Sequence, residues 1–122
     1  MFDANFDELL MLQPELRQKY QGFLSTLAES EILPAAVLNV CRITVRQMHG
    51  LEIGSQPKAS NEAEEAAIAI AEKMPFGHHE LQDEHVHQVK EFFGDDGCVA
   101  LLTAVAFFDV ASRLELTFKR ES

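Results

Sequence analysis

Residues 98–118 read CVALLTAVAFFDVASRLELTF, and this stretch decides the fold. From Cys98 to Ala111 it is apolar on most sides, which predicts a central, largely buried helix rather than a surface one. Its most apolar run, Cys98–Phe108, is interrupted by Thr103 and falls short of the about 20 apolar residues a membrane span needs. Working outward, Gly94-Asp-Asp-Gly97 separates this helix from one predicted over 84–93, for which Asp83 is the candidate cap. Upstream, Asn61-Glu-Ala-Glu64 has the form of a capping box and opens an Ala-rich helix to about Lys73, ended by Pro75 and Gly77. Residues 54–60 (GSQPKAS) are the one obvious loop, being rich in turn formers.

The N-terminal half is helical too. Leu33-Pro34 starts a helix running to about Gly50, with an apolar stripe of Leu38, Cys41, Val45 and Met48. Its polar stripe is Asn39, Arg42, Arg46 and His49. Pro14 suits the first turn of an earlier helix, along which Leu16, Tyr20, Phe23, Leu24 and Leu27 recur at helical spacing. Asn5-Phe-Asp-Glu8 is a further capping-box candidate. With no internal repeat and almost no strand signal, the chain reads as one all-α domain of about five helices over residues 1–122.

Length and charge bound the function. A chain of 122 residues buries roughly two-thirds of its unfolded surface and builds a core without staples. At 47% hydrophobic and 25% charged residues it is ordinary globular material. A net charge of -10 disfavours nucleic acid and anionic membrane as partners. The acids are uneven: residues 59–97 carry ten acids and two bases, whereas residues 32–58 carry one acid and three bases. The start, MFDANFDELL, lacks the basic and apolar regions of a secretory signal. Cys41 and Cys98 lie in separate apolar segments with no CxxC between them, which fits buried thiols and a cytoplasmic setting.

The order of segments resembles the carboxymuconolactone decarboxylase family, in particular its alkylhydroperoxidase D-like branch. Leu33-Pro34 with Leu38-Asn-Val-Cys-Arg42-Ile-Thr is similar to the start of that family's active-site helix. Glu62–Glu72 is similar to its following Ala-rich helix. Leu81–Val86, Phe92–Val99 and Leu101–Leu114 are similar to its C-terminal helices. The resemblance implies an alkylhydroperoxidase D-like helical bundle that assembles as a homo-oligomer. Peroxidase-like members use a CxxC dithiol with a His following it, because one thiolate attacks and the second resolves. In the register set by Leu38 and Arg42, those places fall on His49, Glu52 and Gln56, and the family's proton-relay Glu falls on Val37. In a second register His49 pairs with the family's His, and Arg42 and Val45 take the cysteine places. Neither register supplies a dithiol, and Cys41 has Thr44 rather than a thiol three residues on. The dithiol peroxidase route is therefore closed, and no cofactor is implied.

His49 and Glu52 are the catalytic candidates, and Arg42, Arg46 and Gln56 the ligand-binding ones. A His and a Glu with basic neighbours suit acid/base work on a small carboxylate. The plainer reading of His49 is a helix-terminal imidazole facing the dipole. The arginines serve equally as structural ion-pair partners, and Asp109, in an otherwise apolar stretch, calls for a cation such as Arg113 four residues on. His78, His79, His85 and His87 crowd beside Glu80, Asp83 and Glu84 but match no established zinc spacing, so no metal is assigned. Three functions follow as expectations: a non-redox small-molecule binder, an active enzyme (a decarboxylase using His49, or an antioxidant working through Cys41), or an oligomeric interaction protein with no ligand.

Overall fold

The computed structural model describes residues 4–119, all of whose regular elements are helical. These are α1 (Ala4–Leu10), α2 (Pro14–Glu29), α3 (Ala35–Met48), α4 (Glu62–Lys73) and α5 (Asp83–Lys119), with one 3₁₀ turn at His78–Glu80. Among the described residues there is no strand.

Local chemistry sets most of the boundaries. Pro14 occupies the first turn of α2, where its missing N–H costs nothing. Pro34, extended at ψ 144°, immediately precedes α3. Asn61 caps α4: its side chain accepts from the Glu64 N–H at 2.8 Å, and Glu64 reaches back to the Ser60 N–H at 3.3 Å. At the other capping-box candidate the helix begins a residue earlier, at Ala4, so that Asn5 lies inside α1. The Gly94–Gly97 segment breaks the last helix without a loop. Gly94 alone leaves helical geometry, at φ 75° and ψ 176°, and α5 resumes on its far side.

The core forms where α3, α4 and α5 meet, with α2 laid against it. Leu38, Cys41 and Val45 of α3, Ala67 and Ile70 of α4, and Leu101 and Val105 of α5 have no exposed surface. The alanines of α4 let its neighbours approach closely, and each large side chain buried there contributes about 1.5–3 kcal/mol. Met48 leaves the expected apolar stripe at the helix end and is 41% exposed. By length and hydropathy α5 is the one described segment that could cross a bilayer, which the run 98–108 alone could not. Its break at Gly94 and the packing of α1, α3 and α4 along it make it the core helix of the bundle.

Candidate small-molecule cleft at His49

Three elements converge at the end of α3. Gly50, at φ 76°, closes that helix in a Schellman motif: its N–H donates to Gln47 O at 2.9 Å, and the Leu51 N–H donates to Arg46 O at 3.0 Å. Leu51 is buried, which anchors the turn. His49 is thereby fixed at the C-cap, and its ring turns inward towards α5 rather than to solvent, with a side chain only 3% exposed.

The ring meets a carboxylate. His49 Nε2 lies 2.6 Å from Asp109 Oδ1, sixty residues away in sequence. Arg113, one turn along α5, donates from Nε to both Asp109 oxygens at 3.1 and 3.2 Å. Its Nη2 donates to Pro75 O at 2.8 Å, which ties in the connection between α4 and α5. Phe76 packs against both side chains, its ring centroid 4.7 Å from that of His49 and 5.1 Å from the Arg113 guanidinium carbon. Met48, Leu116 and Thr117 complete the walls of an open cleft of ≈ 470 Å³. That volume is within the range of small-molecule sites, about 300–1,000 Å³.

The arrangement has definite chemical capacities. A carboxylate at Nε2 orients the imidazole. The ring's other nitrogen, Nδ1, makes no hydrogen bond among the described residues. Arg113 and the ring of Phe76 bring a cation and an apolar surface to the same cleft.

The other candidates go elsewhere. Glu52 is exposed in the connection after α3 and makes no hydrogen bond or ion pair among the described residues. Gln56 is also exposed and accepts from Gln47 Nε2 at 2.7 Å. Arg42 donates to Asn39 Oδ1 at 3.1 Å. Arg46 is committed to structure: it donates from Nη1 to Glu115 Oε2 at 2.7 Å, with side chains 11% and 3% exposed. The polar stripe of α3 is thus partly buried, because α5 faces it with acids. Asp109 is paired with Arg113 as its sequence position suggests, but it serves His49 as well. Sequence reasoning missed Phe76 and Glu115. A signal for Glu115 was present, since it continues the buried series Leu101, Ala104, Phe108, Ala111.

Both thiols are buried. Cys41 has no exposed surface, and burial pushes its thiol up to about 12. Burial also raises that of Cys98, and both cysteines are free. Of the histidines between residues 78 and 87, His85 Nδ1 accepts from the Gln82 N–H at 3.0 Å and His87 contacts Glu91 at 3.1 Å. Among the described residues no three His, Cys, Asp or Glu side chains are grouped to hold a metal. A comparison with protein-family models, curated proteins and solved structures gave no match to this chain.

Proposed function

We propose that this chain is a non-redox relative of the carboxymuconolactone decarboxylase family, of its alkylhydroperoxidase D-like branch, and that it binds a small carboxylate in the cleft at His49. The single observation that carries the binding reading is the 2.6 Å contact between His49 and Asp109, with Arg113 holding the carboxylate from its other side. The inertness of Cys41 argues against a thiol route at neutral pH. The kinship, and the homo-oligomer it implies, rest on the order of the segments and the helical architecture.

The test is a titration with acetate, succinate and benzoate, followed by melting temperature and by the NMR shifts of the His49 ring. A ligand present at about a hundred times its Kd adds about 2.7 kcal/mol of stability. Phe76→Ala, at an exposed position, weakens that binding without unfolding the chain. No saturable response to any of the three sinks the binding reading.

The same contact favours a second reading, an acid/base enzyme in which Nδ1 of His49 accepts a proton from a carboxylated lactone. His49→Gln then abolishes turnover of the lactone while the chain still folds, as its helical circular dichroism shows. Turnover that survives the substitution excludes His49 as the base.

A further inference from the structure

A second concavity, sharing no residue with the His49 cleft, lies where α1 and α2 cross the C-terminal half of α5. Its floor is the small apolar cluster of Phe6, Leu10 and Ala111, separate from the main core. Aromatic packing stiffens one side: Phe6 meets Tyr20 edge-on at 4.9 Å, Tyr20 lies 5.7 Å from Phe107, and Phe107 stacks on Phe23 at 4.1 Å. Leu16 and Val110 form the lips and are 56% and 61% exposed, so apolar surface faces water along the opening. The enclosed volume is ≈ 230 Å³.

Among the described residues one charged side chain borders this groove, and it is basic. Lys19 lines the rim and makes no ion pair among the described residues. Acids outnumber bases twenty to ten in this chain, so an unmatched lysine beside an apolar slot is against the trend. An apolar slot with one cation at its mouth is complementary to an apolar tail that carries one negative charge. The volume is below the usual range for drug-sized ligands, about 300–1,000 Å³, which limits the occupant to a single slender chain.

We infer that the α1–α2–α5 groove binds a soluble single-chain amphiphile with an anionic head, such as a medium-chain carboxylate. The tail lies between Leu16 and Val110 over Phe6 and Leu10, and the head is held by Lys19. The hydrophobic effect supplies the affinity, and the lysine selects the charge.

The experiment is calorimetric titration of the full chain with decanoate, decanol and decyltrimethylammonium, each kept below its aggregation concentration, with sedimentation equilibrium on the same samples. Decanoate and decanol are expected to bind one per chain, and the cation more weakly. Lys19→Gln weakens decanoate about two- to fivefold and leaves decanol unchanged. Val110→Asp, at an exposed position, weakens both at least tenfold while the melting temperature holds. The inference is overturned if the folded chain binds neither decanoate nor decanol, or if Val110→Asp leaves binding intact. It is equally overturned if no amphiphile binds and Val110→Asp splits a wild-type dimer, since the groove then belongs to a second copy.

Discussion

At Cys41 the sulfur is fully enclosed, donates weakly to Ala67 O at 3.7 Å, and has its thiol pushed up to about 12 from 9.0. The thiolate is the nucleophile, so neither attack nor disulfide exchange is open to it near neutrality. A thiol reagent should leave both cysteines unmodified in the folded chain and titrate two after denaturation; fast native labelling would contradict the burial. The same shift fixes a pH dependence. Below pH 9 folded and unfolded chains both hold the proton, and between about 9 and 12 only the unfolded chain has lost it. Stability therefore falls as pH rises through that window, by up to about 1.4 kcal/mol per pH unit, measurable by urea unfolding in alkaline buffers. Glu115 is the corresponding buried acid. Glu115→Gln removes the charge that faces Arg46 at 2.7 Å and is expected to cost about 3 kcal/mol. A loss below about 1 kcal/mol would assign that pair to solvent.

Between elements, two glycines make opposite demands. Gly94 turns α5 at φ 75° and ψ 176°, a region held almost solely by glycine in which another residue costs about 1–3 kcal/mol, whereas Gly22 sits inside α2 with open space around it. Gly94→Ala should destabilise the fold by about that amount, and Gly22→Ala should stabilise it by about 0.5–1 kcal/mol. Matched denaturant curves decide it, and equal signs would mean that the break at Gly94 is not required. These features show what was legible in sequence. The Asn61 cap, the Pro14 start and the Gly94–Gly97 break are written in four-residue windows, because caps and turns are satisfied by near neighbours. The site is different. His49 finds Asp109 sixty residues away, and Arg46 finds Glu115 sixty-nine away. His49 was legible as a candidate and Glu52 as its nearest acid, but only the packing of α3 on α5 exchanges that acid for Asp109. Phe76 carries no pattern of its own, and it is placed by Pro75 O accepting from Arg113.

For the molecule as a whole, ten uncompensated negative charges lie on one small chain, concentrated between residues 59 and 97. Mutual repulsion disfavours the compact state. Raising ionic strength from 0.01 to about 0.15 M shortens the screening length from about 30 to about 8 Å, which damps that repulsion. The melting temperature should rise with sodium chloride, by about 4 °C for each 1 kcal/mol regained. One region should move the other way. Asp7 of α1 is gripped by Arg17 of α2 through two contacts, at 3.0 and 3.1 Å, and this hydrogen-bonded guanidinium holds the Asp7 carboxyl below its ordinary value. Salt weakens a half-buried pair of this kind, which solvent still reaches. Because the main contacts of α1 are with α2 and α5, the seven-residue helix opens locally without the core. Amide exchange in α1 should therefore quicken with salt while exchange in α3 and α4 slows. Uniform slowing throughout would show that the Asp7–Arg17 pair contributes nothing to docking α1, and uniform quickening would show that net repulsion does not limit this fold.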